Sequence, residues 1–488
     1  MIFSSWLFAV FFIVVYGVYW TLPDRRWRHP FLLIASYIFY MSWNPWLVTI
    51  IMSLSVFDFS VGLLLERTRT DHRRKLLLTA SLVANLGVLA VFKYADFFIL
   101  SLRELLTGVG IHTNLHTLSI ILPIGISFHT FQTMSYTIDV YRGKIRAERS
   151  LADFALFVAF FPQLVAGPIV KACDFLPQLA TEKRFNWPGL QAGIVLFLVG
   201  LTKKLLIADQ LATLVDPVFA DPTRYVTRDL WLAMFCYGGQ IYCDFSGYTD
   251  MAIAVAGVLG FHLPRNFANP YLAVGLTDFW HRWHISLSSW LREYLYIPLG
   301  GSRGGRLLTY RNLMITMLLG GLWHGASWTF VVWGGIHGAA LIVSKLVQRG
   351  SDGVMSWIER SARTAAGWII TLLVVHIAWV FFRCQPIVHA GSVEPESATI
   401  ALNRAVYIVT HLFIPAQVGN PIWLMNKVPM MALLGLMAAM QLYDEWVLRG
   451  HPRLRLPAPI AGVGYAAWIL ALVVLSPENT SPFIYFQF

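Results

Sequence analysis

Long apolar runs separated by short polar links set the rhythm of this chain. A helix needs roughly 20 largely apolar residues to cross the hydrocarbon core of a bilayer. Runs of that kind fall at about 4–20, 31–47, 48–65, 76–92, 117–140, 188–208, 229–260, 312–345, 365–383, 403–417, 428–447 and 458–476. Two further stretches, 95–106 and 151–170, are apolar but short or broken by Pro and Gly, and read as interfacial or re-entrant. The pattern predicts an all-α integral membrane protein, a polytopic helical bundle of about ten to twelve spans. It reads as a single membrane domain over 1–488, with N-terminal spans in 1–115, a core at about 120–345 and C-terminal spans in 360–488. No internal repeat or low-complexity tract is visible.

Composition agrees. Of the 488 residues, 57% are hydrophobic and 13% charged. Soluble domains carry roughly 45–50% apolar and about 25% charged residues. The net charge of +11 would point to nucleic acid in a soluble protein. Here the cations sit in links between apolar runs, as cytoplasmic loops do, and no nucleic-acid module is present. The basic links hold Arg25, Arg26 and Arg28; Arg67, Arg69, Arg73, Arg74 and Lys75; Arg142, Lys144, Arg146 and Arg149; and Arg303, Arg306 and Arg311. The link at Trp43-Asn44-Pro45 has none. An outside N-terminus puts the basic early links inside. The acidic stretch 386–402, with Glu394 and Glu396, then fits the outside. Cations following the first apolar run, rather than preceding it, mark a retained span and not a cleaved signal. Cys173, Cys236, Cys243 and Cys384 show no metal-ligand spacing, so no zinc and no structural disulfide are expected.

Ionisable groups inside apolar runs are costly and are functional candidates. Asp244 and Asp250 interrupt the run 229–260. They read either as polar lining for a cavity or as carboxylates that pin neighbouring helices. In 278–294, Trp280, Trp283, Leu287, Leu291 and Tyr294 recur at helical spacing, one face of an interfacial helix. Asp278 and Arg282 are placed to pair. His281 and His284 are three apart, but no third metal ligand lies near. His324 sits within Gly320-Gly321-Leu322-Trp323-His324-Gly325-Ala326-Ser327, where glycines permit close approach. His337 lies 13 residues on, roughly 220° round and about 20 Å along a continuous helix. It cannot share a site with His324 unless the helix breaks, for example at Gly334-Gly335, and reads as structural. Gly300-Gly301-Ser302-Arg303-Gly304-Gly305 lacks the ending of a phosphate-binding P-loop and reads as a basic turn.

Phe279-Trp280-His281-Arg282-Trp283-His284-Ile285-Ser286-Leu287-Ser288, followed by Gly321-Leu322-Trp323-His324-Gly325, resembles the membrane-bound O-acyltransferase family. The nearest match is its bacterial branch that acetylates exported polysaccharides such as alginate. Supporting blocks are Leu122–Phe128, Phe161–Ile169, Asp244–Tyr248, Leu263–Phe267 and Pro482–Phe488, so the resemblance spans most of the chain. His281 departs from the pattern, where an arginine or another polar residue is expected. Stretch 386–402 matches poorly.

The resemblance implies acyl transfer from a thioester to a hydroxyl in a bacterial inner membrane. It places the family's essential histidine at His324 and its second at His284. Histidine suits the chemistry, because its ordinary pKa near neutrality lets it take the hydroxyl proton as the new bond forms. Asp244, Trp323 and Ser327 are expected to bind substrate. Arg303, Arg306 and Arg311 are expected to attract the phosphates of acetyl-coenzyme A or a similar thioester, with Lys203 and Lys204 a weaker case. No bound cofactor is expected. Extracytoplasmic acetyltransferase proteins and a polysaccharide acceptor are the expected partners. D-alanyl transfer to teichoic acid, acetylation of peptidoglycan, and a transporter or channel stay open as alternatives, although the inverted repeats of a transporter are not seen.

Overall fold

The computed structural model describes residues 1–118, 120, 122–349, 357–387, 396–415, 421–422, 424–452, 457–477 and 483–484. Glu394, Pro482 and 485–488 lie outside the described residues. Among those described, all regular structure is helical. Six helices are long and apolar enough to cross a membrane: Pro45–Arg67, Asp71–Gly108, Trp187–Ala220, Trp328–Val347, Thr364–Arg383 and Ala458–Leu475. Trp6–Thr21 and Ala398–Phe413 are apolar but shorter.

Large apolar side chains are exposed on the surface as well as buried in the core. Only 6% of the most apolar part of Ala458–Leu475 is buried, with Val463, Val473 and Val474 open. Water would penalise such a surface, whereas lipid tails match it. This is a multi-pass membrane protein.

The chain forms two compact units. The first takes 1–96, 118–201 and 248–265. Its centre is the helix Ile126–Tyr141, buried at every residue from Ile126 to Val140. Polar side chains on such a helix need partners inside. The Thr133 hydroxyl donates to Asn85 Oδ1 at 2.8 Å, and Asn85 Nδ2 donates to Asp58 Oδ2 at 2.7 Å. The Ser81 hydroxyl donates to Asp58 Oδ1 at 2.6 Å. This network ties Val48–Arg67, Asp71–Leu89 and Ile126–Tyr141 together.

Two sequence expectations change here. Stretch 95–106 is no separate segment, since the helix continues from Asp71 to Gly108 through a wider π-helical turn at Ala90–Tyr94. Stretch 151–170 folds as Leu151–Ala159, the single turn Phe161–Leu164 and a loop, buried from Phe154 through Val170. It is interior to its unit, not interfacial.

The second unit takes 97–117, 202–247 and 266–488. Its centre is a helical hairpin. The apolar run 312–345, read above as one span, is two helices, Arg306–His324 and Trp328–Arg349. The chain turns back at Gly325-Ala326-Ser327, not at Gly334-Gly335. Ser327 caps the returning helix, its hydroxyl accepting from Thr329 N at 3.3 Å. Glycines set the closeness of the two helices. A Cβ on Gly321 would stand 2.3 Å from the Phe330 carbonyl oxygen, and one on Gly334 the same distance from that of Met317. Small residues at such crossings let membrane helices pack backbone to backbone.

Candidate active site

The site grows from the segment 276–296. The sequence reads 278–294 as one interfacial helix, but the segment is broken into Leu276–Arg282, Ile285–Leu291 and a π-helical turn at Arg292–Tyr296. The break falls at His284, whose φ of 42° is left-handed. A non-glycine residue there costs about 1–2 kcal/mol, so the surroundings must enforce it. Residues 266–268 do so. Ile285 N donates to the Asn266 carbonyl at 2.9 Å, the Ser286 hydroxyl to Asn266 Oδ1 at 2.5 Å, and Ala268 N to the Arg282 carbonyl at 3.0 Å. Arg282 makes the expected pair with Asp278 (Nε to Oδ1, 2.8 Å) and adds Glu445 (Nη1 to Oε2, 3.0 Å). The break also sends His281 to the surface and His284 to the interior, so the two do not share a face.

His284 is completely buried. It lies between two short helices, outside the helices long enough to cross the membrane. Burial pushes its pKa down to about 3, because the charged imidazolium would lose its hydration, so the ring is neutral at working pH.

His324 ends its helix, and the extended Gly325 carries the chain away. Its ring lies 6.2 Å, centroid to centroid, from that of His284. Aromatic rings enclose the pair. Trp323, Trp333 and Phe382 stand edge-on to His324 at 5.1, 5.0 and 5.2 Å. Trp323 also lies 6.0 Å from His284, and Phe245 packs edge-on to it at 4.7 Å. Such walls exclude water and strengthen polar interactions within them.

The hairpin changes the standing of His337. Its ring packs 4.9 Å from Trp333, the same tryptophan that faces His324. A continuous helix would have separated them, but the turn at 325–327 brings them to one ring cluster. His337 also touches Trp280 at 5.0 Å and Phe279 at 6.1 Å.

The structure does not gather all the candidates. Asp244 is buried, with Oδ1 2.8 Å from Lys204 Nζ and Oδ2 accepting from Ile484 N at 2.7 Å. Lys204 also binds Asp209 Oδ1 at 2.8 Å. Lys204 is therefore an interior counter-ion, not a surface phosphate attractor, while Lys203 lies over the Tyr242 ring at 5.7 Å. Sequence reasoning missed Asp209 and the pairing of Lys204. The available signal was a lysine in the middle of an apolar run. Asn266 also emerged only with the structure. Trp323 lies in the histidine pocket, and Ser327 is committed to its cap and to Thr329 Oγ1 at 2.9 Å. Arg303, Arg306 and Arg311 are exposed at the far end of the His324 helix. At 1.5 Å per residue, Arg306 is about 27 Å from His324 along the axis and Arg311 about 20 Å.

A buried histidine pair enclosed by aromatic rings within a membrane protein suits acyl transfer to a hydroxyl, and comparison with known proteins agrees. The profile of the membrane-bound O-acyltransferase family matches residues 142–389. The probable alginate O-acetylase AlgI of Azotobacter vinelandii is 43% identical over 394 residues, covering 79% of this chain and 75% of that protein. Its Pseudomonas aeruginosa counterpart is 44% identical over 393 residues, 79% of this chain and 72% of that protein. The peptidoglycan O-acetyltransferase of Helicobacter pylori is 37% identical over 380 residues, 72% and 70% of the two chains. The transporter alternative falls with these matches, and the chain belongs to the membrane-bound O-acyltransferase family, as an O-acyltransferase enzyme of the membrane.

Proposed function

We propose that this enzyme moves an acetyl group from a cytoplasmic thioester, acetyl-coenzyme A, towards hydroxyls of an exported alginate-like polysaccharide. The observation that carries the reading is the buried pair His284 and His324, 6.2 Å apart at the break of one segment and the end of one helix. In this reading the neutral His324 imidazole takes the proton of the acceptor hydroxyl as its oxygen bonds to the thioester carbon. The carbonyl oxygen becomes an oxyanion, which His284 or a backbone N–H stabilises. Collapse breaks the C–S bond, and the thiolate takes the proton back from His324. No acyl-histidine is formed.

The names of the relatives support acetyl transfer to an envelope or exported polymer, with peptidoglycan as the second acceptor class. Extracytoplasmic acetyltransferase partners would complete delivery to the polymer. Trp323 would line the acceptor or donor path. Arg303, Arg306 and Arg311 would concentrate the anionic donor at the membrane surface.

The cell-membrane arrangement belongs to the same reading: a bacterial inner membrane, the N-terminus outside and the basic links inside. Trp6–Thr21, Arg25–Met41 and Ile126–Tyr141 carry the alternation of the early links, and with Thr227–Val258, Arg306–His324 and Leu424–Leu448 they bring the six helices to twelve, which supports about ten to twelve spans. Each compact unit draws on three separate stretches of chain, which supports one membrane domain.

The test offers labelled acetyl-coenzyme A to membranes carrying the wild type or His324→Ala. Loss of the general base should lower acetyl transfer by about 10²–10⁴-fold at equal folded protein. Transfer at the wild-type rate would end the assignment. Analysis of the labelled polymer separates alginate-like acceptors from peptidoglycan.

A further inference from the structure

The helix Ala458–Leu475 is moored to its unit at two points. Trp468 Nε1 donates to Thr202 Oγ1 at 2.7 Å, and Gln210 Nε2 to the Leu475 carbonyl at 3.1 Å. Beyond it, Phe483 and Ile484 are again interior, each 3% exposed. Ile484 N donates to Asp244 Oδ2 at 2.7 Å, and the other oxygen of that carboxylate is held by Lys204 at 2.8 Å. One residue from each partner, Phe483 meets Phe245 at 6.0 Å, and Phe245 stands edge-on to His284 at 4.7 Å. A line of contact therefore runs from Phe483 through Phe245 to His284.

We propose that Phe483 and Ile484 are positioning residues for this enzyme, holding His284 in register with His324 through Phe245 and Asp244. The proposal rests on the reading of the two histidines as the reacting pair. His284 already sits in a strained left-handed conformation, so its ring orientation depends on what packs against it. Phe245 is the wall on one side, and Phe483 fills the space behind that wall. A charge-assisted bond from Ile484 N to a carboxylate is short and directional, and fixes the register of Phe483 on Phe245. Lys204 and Asp209 hold the carboxylate in turn. Burying these charges is costly unless all are paired. In this arrangement the cost serves to place one backbone N–H beside the pocket.

The test uses the full chain in membranes, with labelled acetyl-coenzyme A as donor, and follows kcat, KM and the thermal unfolding midpoint. Phe483→Ala removes the filler, and Ile484→Pro removes the N–H. Phe483→Tyr and Ile484→Val keep both. A loss of alignment lowers kcat by about tenfold or more in the first two variants, with KM within about twofold and the unfolding midpoint held. The conservative pair retains wild-type kcat. Unchanged kcat in Phe483→Ala overturns the proposal, as does a fall that only follows the folded fraction. His324→Ala in the same assay tests the underlying reading separately. If that variant keeps activity, the assignment of the reacting pair fails, while the Phe483→Ala ratio still shows whether this segment positions the site.

Discussion

At the scale of single residues, the pocket is built by contacts that distance along the chain conceals. His284 and His324 lie 40 positions apart, yet their rings meet. The motifs around them were legible because tryptophans and glycines beside an interior histidine are rare and specific. Their neighbours were less so. Asp244 was legible as a costly interior carboxylate, but its partners Lys204 and Ile484 were not, since nothing local links positions 204, 244 and 484. The three arginines make the opposite case. Their charge was legible and their distance from His324 was not, until the helix gave the axial separation. In the proposed function they collect the donor and do not touch the reacting atoms. Replacing Arg303, Arg306 and Arg311 with Gln should raise the KM for acetyl-coenzyme A by about tenfold at low salt. The effect should fade as salt screens exposed charge. Unchanged donor kinetics at low salt would remove them from the mechanism.

At the scale of elements, hydropathy located helices well and their interruptions poorly. The run 312–345 is apolar on average, so it reads as one span, and the three-residue turn at Gly325-Ala326-Ser327 is too short to change that average. The turn has a local signature in Ser327, a helix-capping residue ahead of the second helix. The segment 276–296 failed differently. Its apolar spacing is helical on both sides of His284, and only the bonds from Asn266 and Ala268 reveal the break. The paired helices make a sharp prediction about packing. Gly334→Ala would press a methyl group to 2.3 Å from the Met317 carbonyl oxygen, whereas the nearest atom to a Cβ on Gly335 is Leu318 Cδ2 at 3.7 Å. Gly334→Ala should cost about 1–3 kcal/mol and lower the unfolding midpoint, with activity falling as the hairpin opens. Gly335→Ala should be tolerated. Equal midpoints for the two variants would show that the hairpin is not held at this crossing.

At the scale of the whole molecule, composition settled the solvent before any motif was considered, and the exposed valines of Ala458–Leu475 bear it out. Sidedness rests on the cations in the links. In the first unit the Met1 amino group donates to Ser42 Oγ at 2.6 Å, so the start of the chain and the link at 42–45 share one end. In the proposed orientation that end lies outside. In cells expressing single-cysteine variants, an impermeant thiol reagent should label Ser42→Cys directly and Arg69→Cys only after permeabilisation. The reverse order would invert the topology and, with it, the side from which the donor enters.

The cluster of Lys204, Asp209 and Asp244 also bears on how the protein enters the bilayer during synthesis. Lys204 lies near the middle of Trp187–Ala220. An unpaired lysine at the centre of an inserting helix costs about 2.5–3.5 kcal/mol. Asp244 is synthesised 40 residues later, on the helix Thr227–Val258. Asp209 is on the same helix, and the π-helical stretch Thr202–Ala208 widens the turn, helping positions five apart to face each other. The helix therefore carries its own counter-ion as it emerges. Asp244 adds the second carboxylate to Lys204 and completes the three-way cluster.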